Sequence, residues 1–171
     1  MQTKPGYAAT TPQLGRYEID TSGSTITFRT RHLFGLAPVR GTFAILTGTV
    51  DIAMPLAESG VYAEVETASF HTGNGQRDSS VRSARFLDAG QHPVMTFRSE
   101  SLEGPLLTGA LTVGGITRPA ILSVEQYAVS PRSFTARVTT RIDRTDFGVA
   151  AARGLAGRFL DLTIEVRCDR R

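Results

Sequence analysis

The sequence predicts an all-β fold, an antiparallel barrel of strands joined by hairpins. Apolar and polar residues alternate with a period of two through most of the chain, which is typical of half-buried strands. We count roughly eight such segments at hairpin spacing, without the strand–helix rhythm that builds parallel sheets. A barrel is favoured over a sandwich because closure removes the exposed edges that such long strands would leave.

The first half of the folded chain contains three strand segments. STITFRT alternates threonine and arginine with apolar residues, and VRGTFAILTGTVDIAM continues the alternation over an unusual length. Because glycine permits a β-bulge, we expect this long segment to bend at Gly41 or Gly48. In VYAEVETASF, one side of the strand carries Val61, Ala63, Val65 and Thr67.

The second half of the chain repeats the pattern with short interruptions. VMTFRSESL alternates, and LLTGALTVGGITRPAILSVEQYAV predicts two strands about a turn at Gly114–Gly115, since paired glycines accept the positive φ values of a two-residue hairpin. SFTARVTTRID follows. RFLDLTIEVRC has the clearest alternation, with Leu160, Leu162, Ile164, Val166 and Cys168 on one side.

Composition and charge limit the classes of protein. A chain of 171 residues with 40% hydrophobic residues suits one domain with its own core; we assign 16–169 to it and 1–15 to a flexible N-terminal segment. Cys168 is the only cysteine, so no intrachain disulfide can form. No signal peptide or membrane-spanning run is seen, which predicts a cytoplasmic protein if Met1 is the native start. The net charge of +3 comes from scattered arginines, which disfavours nucleic-acid binding.

Four stretches resemble the YceI-like family, known as polyisoprenoid-binding or lipid-binding domains. They are YEIDTSGSTITFRTRHLFGLAPVRGTF, GNGQRDSSVRSARFLDAGQHPVMTF, LTGALTVGGITRPAIL and RIDRTDFGV, and together they span about 16–168. The second stretch is the most specific, because Arg77–Asp78, Arg82–Ser83, Phe86–Leu87–Asp88 and His92–Pro93 follow in one order.

The resemblance implies an extended, lipocalin-like eight-stranded barrel that encloses a long apolar channel for a lipid chain. It also implies that the short helix lies near the mouth, as a lid or plug. The residues themselves add an apolar stripe of Val81, Ala84 and either Phe86 or Leu87, with Arg82 and Arg85 toward solvent. Such a stripe must pack on something, and a barrel end is the apolar surface at hand.

The candidate ligand-binding residues combine inward positions with the helix region. Asp78 is expected to cap the helix, while Arg77 pairs with a carboxylate or, with Arg82, meets an anionic head group at the mouth. The residues expected to line the channel or its mouth are Phe28, Phe43, Phe86, Phe97, Val81, Leu111, Leu162, Ile164, Arg77 and Arg82.

No catalytic or metal-binding set is predicted. His32, His71 and His92 lack the spacing of metal ligands, and no nucleophile motif is present. The Asp146–Phe147–Gly148 triplet is interpreted as a turn at a strand end with a buried phenylalanine. We therefore expect no required cofactor, only a bound isoprenoid or other lipid.

The leading hypothesis is a non-enzymatic protein that sequesters or transports a polyisoprenoid, an isoprenoid quinone or a similar, even fatty-acid-like, chain. Two alternatives remain open at this point: an enzyme or chaperone-like factor that acts on an apolar substrate in the barrel, and a solid-core interaction module without a small ligand. A homodimer and transient contact with a membrane are compatible with the sequence. Periodicity alone does not tell an open barrel from a filled one.

Overall fold

The computed structural model describes residues 11–32, 36–152 and 157–171. In these residues the chain forms nine strands, one α-helix (α1, Gly75–Arg82) and two 3₁₀ turns, Leu56–Glu58 and Arg144–Phe147. The strands are β1 (Gly15–Ile19), β2 (Thr25–His32), β3 (Ala37–Ile52), β4 (Gly60–His71), β5 (Val94–Glu103), β6 (Leu106–Val113), β7 (Ile116–Ser130), β8 (Ser133–Asp143) and β9 (Phe159–Arg170).

The strands close into one antiparallel barrel. The order is β3-β2-β9-β8-β7-β6-β5-β4, and β4 pairs back onto β3. β1 and β2 lie end to end in the same sheet position, since both pair with β3 on one side and β9 on the other. The predicted eight-stranded antiparallel barrel is therefore confirmed, with β1 extending the position of β2.

The predicted inward faces of β4 and β9 are also confirmed. Side chains of Val61, Val65, Leu162 and Ile164 face the barrel interior. Cys168 continues the β9 row and is fully buried, and burial raises the pKa of its thiol to about 12. Alternation in the sequence thus identified the interior of the barrel correctly.

The hairpin predicted between β6 and β7 is present. Gly114 and Gly115 have φ values of 59° and 77°, and the strands pair directly before and after them. This is the left-handed region, which only glycine enters readily. The two glycines therefore set the register of this hairpin.

The bend predicted at Gly41 or Gly48 lies between them instead. The pairing of β3 with β4 shifts register between Thr42 and Ala44, and again between Ile45 and Thr47. The glycines serve close packing: a Cβ at Gly41 would lie 2.2 Å from the Phe28 ring, and one at Gly48 would lie 2.4 Å from Ile19. Lack of a side chain, rather than backbone freedom, is what these positions require.

The N-terminal prediction falls mostly outside the described residues, which begin at Thr11. The carbonyl of Gln13 accepts a hydrogen bond of 2.8 Å from the Tyr17 hydroxyl, and β1 begins at Gly15. Residues 13–15 therefore already contact the barrel. Within the described residues, no helix is long and apolar enough to span a bilayer.

Candidate functional site in the barrel interior

The barrel encloses a cavity of about 560 Å³. This volume lies within the range of small-molecule sites, roughly 300–1,000 Å³. All nine strands contribute apolar side chains to its wall, among them Ile19, Ile26, Phe43, Ile45, Val61, Val65, Met95, Phe97, Leu107, Leu111, Leu122, Phe134, Val138, Leu162, Ile164 and Val166. The interior is therefore an apolar cavity, and the side chains of the barrel do not fill it.

The burial of the wall residues supports the same conclusion. Leu162, Ile164 and Val166 point inward on β9, yet each is only half-buried. In a filled barrel such side chains would be fully covered by neighbours. Their remaining accessible surface faces the cavity.

One end of the barrel, the open end, exposes the residues that line the cavity. Tyr127 is 56% exposed and Leu56 is 42% exposed, and both line the cavity. Thr11, Gly104 and Pro105 also line it and are exposed. These residues belong to the N-terminal approach to β1, the β3–β4 and β5–β6 connections, and the end of β7. An apolar chain can enter here without any strand separating.

The opposite end, the closed end, is sealed by a hydrophobic cluster. Met95, Val113, Phe147 and Val149 are buried, and Leu87 packs against them. All but Leu87 belong to strand ends or to the first residues after β8. Each of the five also lines the cavity. The cavity therefore ends against buried side chains at this end.

A single charged residue, Arg144, lines the cavity among the described residues, and it lies at the closed end. Its Nε donates to the carbonyl of Gly157 at 2.8 Å and its Nη1 to that of Val149 at 2.7 Å. Its guanidinium carbon lies 5.8 Å from the centre of the Phe86 ring. These contacts hold the guanidinium in place and join the 3₁₀ turn to the connection that follows it.

Comparison with known proteins fits this architecture. A family model described as the YceI-like domain matches residues 17–169. This chain belongs to the YceI-like family. It is 32% identical to Protein YceI of Escherichia coli O157:H7 over 163 residues, covering 88% of this chain and 84% of that protein. It is 30% identical to a UPF0312 protein of Azotobacter vinelandii over 164 residues, covering 88% and 84%.

Solved structures with the same fold include two that align with most of this chain. Burkholderia cenocepacia BcnA superposes with a TM-score of 0.71 at 20% identity, covering 87% of this chain and 98% of that chain. A polyisoprenoid binding domain from Saccharophagus degradans, implicated in plant cell wall breakdown, also has a TM-score of 0.71, at 12% identity, covering 93% and 100%. At these identities the likeness shows the fold.

Half of the residues predicted for the YceI-like channel are among the lining residues. These are Phe43, Phe97, Leu111, Leu162 and Ile164. Phe28 and Phe86 are not among them. Phe28 is 1% exposed and stacks on Phe70 with ring centres 5.2 Å apart, without lining the cavity. Phe86 packs into the closed-end cluster.

Arg77 and Arg82 are engaged by the protein itself and are absent from the cavity lining. Arg77 Nε donates to the Thr72 hydroxyl at 2.9 Å, rather than to a carboxylate. Arg82 Nε donates to the Phe70 carbonyl at 3.1 Å, and its Nη2 donates to the same oxygen. Arg82 is therefore half-buried, and the expectation that it faces solvent is wrong. A head-group contact through either arginine stays a prediction.

The prediction that Asp78 caps α1 is wrong. Asn74 is the N-cap, and its side chain accepts the Arg77 N–H at 3.0 Å. Asp78 is buried and accepts the Thr72 N–H at 3.0 Å. Burial opposes the charge of Asp78, but hydrogen bonds from Thr72 and the nearby His71 and Arg82 outweigh it and lower its pKa. The carboxylate fastens the helix to the end of β4.

The predicted apolar stripe on the helix is also wrong. α1 ends at Arg82, and Ser83 is extended, with its N–H bonded to the Ser80 carbonyl. Ala84 is exposed and Val81 is half-buried without lining the cavity. The residue that reaches the cavity is Leu87, in the turns after the helix. Because β4 runs toward the closed end, the helix lies toward that end, away from the open one.

Leu87, Phe147 and Arg144 are among the lining residues that the sequence did not assign to the cavity. Phe147 was expected to be buried in a turn after a strand, and this is confirmed: it lies in a 3₁₀ turn after β8, and Gly148 has a φ of 74°. The available signal for Arg144 and Phe147 was the RIDRTDFGV stretch, one of the four that carry the YceI-like resemblance and the one that contains both residues.

The described histidines form no metal site. Among the described residues, no group of three histidine, cysteine, aspartate or glutamate side chains could hold a metal ion. His71 is exposed, and its Nδ1 lies 3.6 Å from Asp78. The side chain of His32 lies outside the described part of the chain.

Proposed function

We propose that this YceI-like barrel holds the chain of a polyisoprenoid, an isoprenoid quinone or a similar lipid, and sequesters or carries it without chemical change. The observation that supports the proposal is the cavity of about 560 Å³ with an almost wholly apolar wall. Each methylene transferred from water to such a wall contributes about 0.8 kcal/mol. A long chain therefore binds tightly with few polar contacts.

The two ends of the cavity suit a carrier. Exposed lining residues at the open end give the chain a way in and out, and the closed end fixes how far it enters. The Saccharophagus degradans neighbour is described as a polyisoprenoid binding domain, which agrees with this class of ligand. The cavity also favours this proposal over the alternative of an interaction module with a solid core, which would have no room for a ligand.

The test is to identify what occupies the barrel. Native mass spectrometry of the purified protein, followed by organic extraction, is expected to yield an apolar chain at one per barrel. Lipid-free protein is then titrated with a polyprenol and with an isoprenoid quinone. Recovery of lipid-free protein only, with no uptake of either compound, contradicts the proposal.

Two matched variants connect uptake to the cavity. Ala136 lines the cavity on β8, whereas its neighbour Thr135 is exposed on the outer face. Ala136→Trp fills the middle of the cavity and is expected to abolish uptake, while Thr135→Trp leaves it unchanged. Equal uptake by both variants would place the ligand outside the barrel.

A further inference from the structure

A groove of about 420 Å³ lies on the outer face of the barrel, near the point where β4 leaves β3. The last pair between these two strands joins Thr42 to His71. Among the described strands, the part of β3 from Ala37 to Gly41 pairs with β2 alone. The step in the sheet at the end of β4 leaves this groove open to solvent.

Two arginines that line the groove face each other across the sheet. Arg29 on β2 and Arg40 on β3 are directly opposite in the strand pairing, and both are exposed. Opposite side chains of antiparallel strands begin only about 4.5–5.5 Å apart, and like charges there destabilise the sheet. A guanidinium keeps its proton in proteins. The groove therefore contains two permanent positive charges side by side.

The donors of both guanidinium groups are free within the described part of the chain. Arg141, on the same outer face, forms an ion pair with Asp161 at 2.8 Å. Asp161 is also opposite Arg29, and hydrogen bonds from Arg141, with a further contribution from the charge of Arg29, lower its pKa. Both of its oxygens nevertheless accept from Arg141. Among the described residues, no hydrogen bond or ion pair engages Arg29 or Arg40.

The other side chains around the groove add polar groups without adding a negative charge. Thr42 is exposed, the side chain of His71 is 68% exposed, and Gly73 has open space where a side chain would lie. Asp78, which lies 3.6 Å from His71 Nδ1, is buried and accepts hydrogen bonds from Thr72. No carboxylate lines the groove among the residues that the structure describes.

Two adjacent guanidinium groups suit a phosphate better than a carboxylate. One arginine satisfies a carboxylate with two parallel hydrogen bonds, whereas a phosphate monoester has a charge of about −1.5 to −2 at pH 7 and three acceptor oxygens. We propose that this groove binds the phosphate group of a phosphorylated compound between Arg29 and Arg40. The bound phosphate also offsets the repulsion between the two arginines. Because the groove is outside the barrel, this site does not depend on the proposed function of the cavity.

The first test is a titration of the unaltered protein with inorganic phosphate. NMR signals of the Thr42 and Gly73 amides and of the arginine Nε–H groups follow binding in ¹⁵N-labelled protein at low ionic strength. We expect shifts that saturate with a Kd on the order of 1 mM. A parallel titration with sodium chloride at matched ionic strength is expected to produce no saturating shift. Shifts that do not saturate, or that chloride reproduces, overturn the proposal.

Variants then assign binding to the two arginines. Arg29→Gln and Arg40→Gln are each expected to weaken phosphate binding about tenfold or more, the value of a hydrogen bond to a charged group. Each change removes a like-charge contact, so neither threatens folding. Arg137→Gln is the control and is expected to leave binding unchanged, because Arg137 is exposed on β8 and is opposite Glu165. Equal binding by wild type and all three variants contradicts the assignment.

Thermal unfolding gives a second measurement of the same site. Phosphate is expected to raise the midpoint of wild type and of Arg137→Gln relative to chloride at matched ionic strength, since it binds the folded state. It is expected to raise the midpoints of Arg29→Gln and Arg40→Gln much less. An equal rise in all four proteins would mean a general salt effect and would overturn the proposal.

The phosphate can belong to a soluble compound or to a lipid head group, and vesicles distinguish these sources. Sedimentation compares vesicles of phosphatidylcholine alone with vesicles of equal parts phosphatidylcholine and phosphatidic acid, which presents a phosphate monoester. Binding to the second kind only, reduced in Arg40→Gln but not in Arg137→Gln, identifies a head group. Binding of inorganic phosphate without vesicle binding identifies a soluble compound. Failure of both ligands to bind overturns the proposal and leaves the function of the cavity untouched.

Discussion

The two ends of the barrel differ in how their side chains are held. At the open end, Leu56 and Tyr127 expose much of their apolar surface, and Arg16 and Asp51 form an ion pair at 2.8 Å with both side chains exposed. At the closed end, Phe147 and Val149 are buried, and hydrogen bonds from buried or half-buried groups tie the covering segments together.

This difference suggests that the two ends of the barrel contribute to stability and to ligand exchange to different degrees. Buried apolar area and satisfied polar groups make local opening costly, whereas exposed connections open readily. The closed end should therefore carry much of the stability of the fold, and the open end should control ligand exchange. Substitutions at matched positions can break or sharpen this division.

The largest expected effect is the loss of Phe147. Phe147→Ala leaves a cavity in the closed-end cluster and is expected to lower the free energy of unfolding by about 3–5 kcal/mol. Leu56→Ala, at the exposed open end, is expected to cost about 0.5 kcal/mol or less. Urea denaturation followed by circular dichroism measures both, since the chain has no tryptophan. Similar losses in the two variants would refute the division.

A second effect concerns Asp143, which precedes the 3₁₀ turn at the closed end. Its carboxylate accepts hydrogen bonds from the Arg158 side chain and from Thr145, which lower its pKa to about 2. Asp143→Asn keeps an oxygen that can cap the turn but removes the charge that accepts from Arg158, and is expected to cost about 1–2 kcal/mol at pH 7, since hydrogen bonds to charged groups contribute more than neutral ones.

The pH dependence follows from the lowered pKa of Asp143. Because its pKa in the folded state lies below that of the unfolded chain, roughly 3.9, its stabilisation is complete above that value and is lost as the pH falls toward 2. The difference in unfolding free energy between wild type and Asp143→Asn should therefore shrink between pH 4 and pH 2. Asp51→Asn is the open-end comparison: hydrogen bonds from Arg16 also lower the pKa of Asp51, but both side chains are exposed, so a smaller difference is expected at every pH. A difference that stays constant over this range would contradict the assigned cause.

The sequence predicted the strands of the barrel better than the segments that cover its closed end. Alternation on β9 placed Leu162 and Ile164 inward because strand geometry leaves only two faces. The role of Leu87 was not predictable in this way, since it depends on where α1 stops and how the following turns pack. Asp78 was misassigned for a similar reason. Its partner, Thr72, precedes the helix, and the sequence does not show that Asp78 turns back toward it instead of capping the first turn.

Phe28 shows a second limit of sequence patterns. Its inward phase was correct, but lining a cavity also requires that nothing lie in front of the side chain. Phe28 covers the position left open by Gly41 and stacks on Phe70. Periodicity predicts which face of the sheet a side chain lies on. Whether that side chain borders the cavity depends on neighbours from other strands.

A third prediction concerns ligand release at the open end. Tyr127 lines the cavity where it meets solvent, so Tyr127→Ala removes apolar contact near the exit. We expect dissociation of a bound chain to become about two- to fivefold faster, corresponding to about 1 kcal/mol of lost contact. Stopped-flow transfer of cis-parinaric acid to acceptor vesicles measures this rate. Arg132→Ala, in the exposed β7–β8 turn, is the control, and an unchanged rate in Tyr127→Ala would place the exit elsewhere.

The smallest expected effect is on the exposed ion pair between Arg16 and Asp51. Although the pair joins β1 to β3 through two hydrogen bonds, solvent screens both charges, so Arg16→Gln is expected to cost only about 0–0.5 kcal/mol, and less in high salt. Arg158→Gln removes a pair in which Asp143 is largely buried and should cost more. Urea denaturation at low and high ionic strength compares the two. An equal cost, with equal dependence on salt, would mean that the two ends are held by the same kind of contact and that only their apolar packing distinguishes them.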